Sequence, residues 1–136
     1  MTMSGPMNIF DISGRAMSAN LTRLNTTASN LANARTVYSN EEDAFRSLKP
    51  VFKTAYDRAG VATVDVAEVV QSDMKPVKKH DPHNPLANEQ GYVWEAGVDE
   101  AAELVDMLET ARHYQNNVQV MQTAKSLILE TIRMSK

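Results

Sequence analysis

The sequence contains no cysteine, which removes disulfides, thiolate nucleophiles and cysteine-ligated zinc together and leaves the redox compartment open. It has no large surplus of charge of either sign. The 14 Lys and Arg against 17 Asp and Glu leave a formal −3, so there is no basic footprint for nucleic acid and no polybasic anchor for a membrane surface. No run approaches the ~18 consecutive apolar residues of a membrane span. The segment MTMSGPMNIFDISGRAM holds neither a basic leader nor an apolar run of about seven, so neither membrane insertion nor a cleaved secretory signal is expected. Large apolar side chains are also scarce: Leu, Val, Ile and Phe make 29 of 136 residues, close to the roughly 20% at which composition begins to read as disordered. The near-neutral charge argues against disorder, and the length suits one domain rather than two independent cores. These shortages describe a chain that can order, with help from neighbours.

Chain-breaking residues are few and uneven. Four of the five prolines (Pro50, Pro76, Pro82, Pro85) and three of the five glycines (Gly60, Gly91, Gly97) fall between residues 50 and 97. Proline removes a helical hydrogen bond and clashes with the preceding turn, so the arms on either side can remain helical where the centre cannot. This divides the chain into an N-terminal helical segment, 1–36, a β-rich and irregular centre, 37–97, and a C-terminal helix, 98–136.

Both arms carry heptad-like seams. Phe10, Gly14, Met17, Leu21, Leu24, Ala28 and Leu31 follow at alternating spacings of 4 and 3. Leu104, Met107, Ala111, Tyr114, Val118, Met121, Lys125, Ile128 and Ile132 repeat the alternation, changing in kind only at Lys125. Asp99 is placed to cap the second helix, Glu100 and Glu103 sit at the positive end of its dipole, and Arg133 and Lys136 suit the other end. At about 1.5 Å per residue the helices are about 40 Å and 55 Å long, too long for the centre to cover.

Residues 44–56 and 61–70 have strand-like composition, and GYVW at 91–94 reads as a third strand. Pro50 marks the first as an edge strand or a bulge, and Gly60 is expected in the turn. The expected fold is mainly α: two long terminal helices pairing as a coiled-coil-like unit, a small β-hairpin knob, and an extended connector over 73–91.

The helix surfaces are low in charge. Residues 7–35 hold only Asp11, Arg15, Arg23 and Arg35, and the remainder of the surface is Ser, Thr and Asn, which form helix poorly but allow close backbone approach. The C-terminal arm repeats this with Gln115, Asn116, Asn117, Gln119 and Gln122. An intramolecular antiparallel hairpin accounts for the pattern, and so does packing between molecules. The length of the arms and the shortage of large apolar residues favour assembly. Arg112 and Tyr114 belong to residue types enriched at interface hot spots. Lys125, on an apolar seam, either snorkels or pairs with a carboxylate or carbonyl of an adjacent helix, the latter if the chain assembles.

Little in the sequence carries chemistry. His80-Asp81-Pro82-His83 offers two imidazoles and a carboxylate, but no third ligand stands at a recognised spacing. His113 has no apparent acid-base partner, and no nucleophile elbow, phosphate loop or dinucleotide fingerprint is present. An enzyme is not expected, and neither a catalytic residue nor a cofactor is assigned. The alternative functional class is a small helical-hairpin binding module with a metal or ligand site at His80 and His83. Glu41-Glu42-Asp43 reads as a solvated acidic turn or as an electrostatic contact with a neighbouring subunit.

The segment FDISGRAMSANLTRLNTTASNLANART, 10–36, resembles the N-terminal signature of the bacterial flagellar rod and hook axial proteins, a long amphipathic helix ending in the core Ser29, Asn30, Leu31, Ala32, Asn33, Ala34. Arg112, Tyr114, Asn117, Val118, Met121, Lys125 and the closing aliphatic run are similar to the matching C-terminal region. NPLANEQGYVWEAGVD, 84–99, resembles the proximal-rod branch at Pro85, Ala87, Gly91, Tyr92, Val93, Val98 and Asp99, and departs from it at Asn84, Glu95 and Gly97. The short length fits that branch, and residues 38–49 match only loosely.

The resemblance implies a structural subunit of the basal-body rod, in the periplasm, exported unfolded through the flagellar type III apparatus without a cleaved signal. It implies terminal helices that line a tube and order mainly on assembly, transmitting motor torque to the hook. Partners would be copies of itself, other rod proteins and the adaptor joining the rod base to the MS ring. The expected assembly interface is Phe10, Met17, Leu21, Leu24, Ala28, Asn30, Leu31 and Asn33 of the first arm, with Leu104, Met107, Ala111, Arg112, Tyr114, Val118, Met121, Lys125, Ile128 and Ile132 of the second.

Overall fold

The computed structural model describes residues 6–135; the expected contribution of Lys136 to a helix end lies outside them. Two long helices flank a small β region. Helix α1 spans Pro6–Asn33 and helix α2 Glu100–Met134, and between them lie β1 (Val37–Tyr38), β2 (Leu48–Tyr56), β3 (Ala62–Gln71), β4 (Val77–His80) and β5 (Tyr92–Glu95).

Helix α1 begins at a proline, whose missing N–H is one the first turn cannot use anyway. Past Asn33 it unwinds through tighter turns, with Ala34 N donating to Leu31 O at 3.3 Å and Thr36 N to Asn33 O at 3.1 Å. Helix α2 is capped as its sequence requires: Asp99 is extended and its carboxylate accepts from Ala102 N at 3.2 Å. Glu100 and Glu103 lie in its first turn and Arg133 in its last. The helices pack side by side and antiparallel. Ile9 lies by Leu127 and Ile128 at one end, and Thr27 reaches Asp106 towards the other.

Strands β2 and β3 form the expected hairpin, in register from Leu48↔Gln71 to Tyr56↔Ala62, with a shift between Val51 and Phe52 directly after Pro50. Its turn is held by Asp57, whose Oδ1 accepts from Ala59 N and Val61 N, both at 2.8 Å. Gly60 closes it at φ 80°, where a side chain is disfavoured. One face of the hairpin rests on α1.

The remaining strands form a second sheet, in the order β1-β5-β4, with both neighbours antiparallel to β5. The third strand is found close to the expected GYVW, at Tyr92–Glu95. One expectation is corrected: the 73–91 stretch is no simple connector, because Val77–His80 pairs with Tyr92–Glu95. All four residues of β4 are exposed, so Val-Lys-Lys-His carries no apolar alternation from which to read a strand. Gly97 locks the return to α2. A Cβ there would stand 2.6 Å from Met74 O, and Gly97 N donates to Phe45 O at 2.7 Å.

The interior is made of small and polar side chains. Its buried apolar residues are Ala19, Ala44, Val93, Ala96 and Ala124, alongside buried Ser13, Thr26, Thr27, Asn30, Ser47, Thr63, Glu103 and Thr110. Asn30 is 0% exposed and clasps the hairpin: its Nδ2 donates to Leu48 O at 2.9 Å and its Oδ1 accepts from Leu48 N at 2.7 Å. The amide thus satisfies both backbone groups of a strand residue, as a neighbouring strand would. Asn33, three residues on, donates to Ser29 O of its own helix at 2.8 Å. Asn30→Ala leaves both part-buried backbone groups of Leu48 without this partner and is expected to cost about 2–4 kcal/mol, against under about 1 kcal/mol for Asn33→Ala. Amide exchange at Leu48 accelerates strongly only in the first variant.

Candidate assembly interface

The two helices meet along lines of alternating large and small residues. On α2 the more buried positions are Glu103, Met107, Thr110, Tyr114, Asn117, Met121, Ala124 and Ile128, again spaced 4 and 3. The seam read from the sequence shares Met107, Tyr114, Met121 and Ile128; Leu104 and Lys125 are exposed where Glu103 and Ala124 before them are buried, and Ala111 and Val118 are half-buried beside Thr110 and Asn117. The same offset occurs on α1. Phe10, Met17, Leu24 and Leu31 are half-buried, but alternating with them are Ser13, Asn20 and Thr27 rather than Gly14, Leu21 and Ala28. Both helices are rotated so that small polar residues fill alternate layers and large apolar ones turn outward.

The physical reason lies in the polar groups. Thr110 Oγ1 donates to Asp106 O at 2.7 Å and so is satisfied within its own helix when buried. Thr27 Oγ1 donates to Asp106 Oδ2 at 3.1 Å, and the Arg23 guanidinium pairs with the same carboxylate through both Nη2 and Nε, the latter at 3.3 Å. A half-buried Arg–Asp–Thr cluster therefore sets the register between α1 and α2. Beside it, Glu103 is 2% exposed and is held by Lys49 of the hairpin at 2.8 Å. Its other oxygen, Oε2, is buried without a hydrogen-bond partner. Helix α1, helix α2 and the hairpin are thus pinned together near the α2 N-terminus.

The rotation leaves a large apolar surface outside. Leu21, Leu104, Val120, Leu127, Leu129, Ile132 and Met134 are exposed, as are Val105 at 63% and Leu108 at 73%. Grooves run along both flanks of the helix pair at the α1 N-terminal end. One is lined by Ile9, Ala124, Leu127, Ile128 and Ile132, and the other by Phe10, Met17, Val118, Met121 and Lys125. Among the expected interface residues, Leu21, Ala28, Leu104, Arg112, Lys125 and Ile132 are exposed. Asn30 is buried, and Phe10, Met17, Leu24, Leu31, Asn33, Met107, Ala111, Tyr114, Val118, Met121 and Ile128 are half-buried. Lys125 has no carboxylate partner among the described residues.

Sequence reading missed Glu103, Thr110, Thr27 and Lys49 as packing residues. The signal available was a second period: Ser13, Asn20, Thr27 and Glu103, Thr110, Asn117, Ala124 each recur every seven residues. At the other candidate site, the His80 ring lies edge-on to Tyr92, centroids 4.9 Å apart. No group of three His, Asp or Glu among the described residues could hold a metal ion, so the binding-module reading finds no support.

Two family models match the chain. Residues 10–37 match that of the flagella basal body rod protein, and residues 89–134 match that of the flagellar basal body rod FlgEFG protein C-terminal region. The matched segments are α1 with β1, and β5 with α2; the hairpin lies outside both. Among similar proteins, the flagellar basal-body rod protein FlgC of Escherichia coli O6:H1 is 40% identical over 131 residues, covering 96% of this chain and 98% of its own. That of Salmonella typhimurium is 41% identical over 133 residues with the same coverage. That of Aquifex aeolicus is 33% identical over 125 residues, covering 91% and 92%.

The pinning contacts are open to a double-mutant cycle. Lys49→Met leaves a buried carboxylate without its cation and is expected to lower stability by about 3 kcal/mol, whereas Lys49→Met/Glu103→Met recovers most of the loss. Urea denaturation of the two variants measures the difference.

Proposed function

The chain belongs to the family of the flagellar basal-body rod protein FlgC, and on that footing we propose how it works as a structural, non-enzymatic rod subunit. It assembles helically with copies of itself and with other rod proteins through its terminal helices, and it carries motor torque towards the hook through many helix packings at once. Within each subunit the antiparallel helices act as a coiled-coil-like pair, with Phe10, Met17, Leu24, Leu31, Met107, Tyr114, Met121 and Ile128 facing inward. Leu21, Ala28, Leu104, Arg112, Lys125 and Ile132 are left to neighbours.

The observation that carries this reading is the inverted distribution of side-chain size. Small and polar groups fill alternate layers between the helices while Val105, Leu108, Leu127, Leu129 and Ile132 stand in solvent. Exposed apolar area on this scale marks an interaction surface, and at about 25 cal/mol per Å² its burial supplies the driving force for association. The contacts are heterologous and non-closing, as a tube requires. The subunit reaches the periplasmic rod unfolded and uncleaved through the type III export apparatus, and its base meets the adaptor on the MS ring. Part of its helix orders only when neighbours cover these faces.

Val105→Glu/Leu108→Glu places charge on the exposed face without touching the buried layers. The isolated variant keeps the circular dichroism of the parent chain, whereas rods no longer form and swimming is lost; normal swimming would overturn the reading. Deleting residues 129–136 likewise abolishes motility while the chain still accumulates in the cell.

A further inference from the structure

The three-stranded sheet has two chemically opposite edges. Its order, β1-β5-β4, leaves β1 and β4 outermost. Strand β1 runs directly into the turn carrying Glu41, Glu42 and Asp43. That turn is held locally: Asn40 Oδ1 accepts from Asp43 N at 2.9 Å, and Glu41 O accepts from Ala44 N at 3.2 Å. Glu42 and Asp43 are exposed. None of the three carboxylates forms an ion pair among the described residues.

The far edge is basic. Every residue of β4 is exposed, and Lys75, Lys78 and Lys79 lie in it or just before it. Lys79 is held by Glu95 at 3.2 Å, whereas Lys75 and Lys78 have no carboxylate partner among the described residues. Lys78 Nζ sits 4.3 Å from the centroid of Tyr92 and 5.9 Å from that of Trp94. The cation is therefore held at a defined place on the sheet by two aromatic rings. Its outer neighbour position along β4 is unfilled by any strand among the described residues.

Pairing either edge with itself across a two-fold axis would set lysine on lysine or carboxylate on carboxylate. Setting one edge against the opposite edge of another copy matches charge, and repetition of that contact continues from subunit to subunit. We propose that the acidic turn at 41–43 of one copy docks on the Lys75 and Lys78 edge, beside Tyr92 and Trp94, of a second copy of this chain, joining subunits side by side. This rests on the reading of the chain as a rod subunit that assembles with itself. The apolar helix faces supply cohesion with little directional preference; the sheet edges select orientation.

Exposed ion pairs are individually weak, so the test is an exchange of charges. In cells whose only copy is the variant, Lys75→Glu/Lys78→Glu and Glu42→Lys/Asp43→Lys each lower the number of completed rods by roughly tenfold, and the two sets combined in one chain restore it to within about twofold. Because the parent chain has no cysteine, Glu42→Cys and Lys78→Cys chains can also be co-expressed. Oxidised basal bodies from those cells yield a disulfide-linked dimer that neither single variant gives. Normal rod numbers in both reversed variants, no restoration by the exchange, or a Lys78→Cys adduct with a different protein in place of the dimer would overturn the docking and leave the rod role intact. Absence of this chain from purified basal bodies would instead overturn the rod role.

Discussion

The cluster of Arg23, Thr27 and Asp106 fixes how the two helices sit on one another, and much else follows from it. A seam of threonine, serine, asparagine and alanine offers little shape to define a register, since the threonine hydroxyls can be satisfied inside their own helices. A charged group shared between Arg23 and Thr27 has one geometry that satisfies it, and slipping α1 by a turn would leave a half-buried carboxylate without its partners. With that register set, Glu103 of α2 meets Lys49 of the hairpin, and Asn30 of α1 lies opposite Leu48. The polar contacts thus form one connected junction among three elements.

The junction makes the molecule unequal along its length. Near the N-terminus of α2 the helices are tied to one another by the Arg23 and Thr27 contacts to Asp106, and to the hairpin by Lys49–Glu103 and the Asn30 side-chain hydrogen bonds. Towards the C-terminus of α2, Phe10 and Met17 lie by Val118 and Met121 and Ile9 by Leu127, Ile128 and Ile132, with open grooves on both flanks. Local stability follows the number of buried contacts, so the tied end is the more stable and the grooved end opens first. The scarcity of large apolar residues is therefore a matter of placement as much as of number: those present are spent largely on the outside.

Much of the architecture was legible in the sequence because it depends on local rules. Asp99 as a cap, Gly60 in a turn, Pro50 beside a bulge and the two breaker-free arms all involve residues acting on their immediate neighbours. What was not legible depends on distant partners. Strand β4 is exposed on every residue and carries no pattern, and β1 is two residues long. Hydrophobic periodicity misplaces the helix seams at alternate layers, because the structure buries Ser13, Thr27, Glu103 and Thr110 there. A rule that sends large apolar residues inward fails where Leu21, Leu104, Val105 and Leu108 stand exposed. The resemblance marks Asn30, and the structure supplies its physical reason: a side-chain amide that completes a strand's hydrogen bonding.

The second sheet has a place in this scheme that its small size conceals. Strand β1 starts four residues after α1 ends, and β5 stops five residues before α2 begins. The two strands pair as Val37↔Glu95 and Tyr38↔Trp94, and Ala96 N donates to Thr36 O at 3.2 Å. The sheet therefore bridges the same ends of the two helices that the Arg23, Asp106 and Lys49 contacts hold. Val93, fully buried, fixes its inner face. Force applied at an edge of this sheet reaches both helices through a few rigid hydrogen-bonded residues rather than through a flexible linker. A load shared that way loads α1 and α2 together, so that neither is drawn past the other against the Arg–Asp register that holds them.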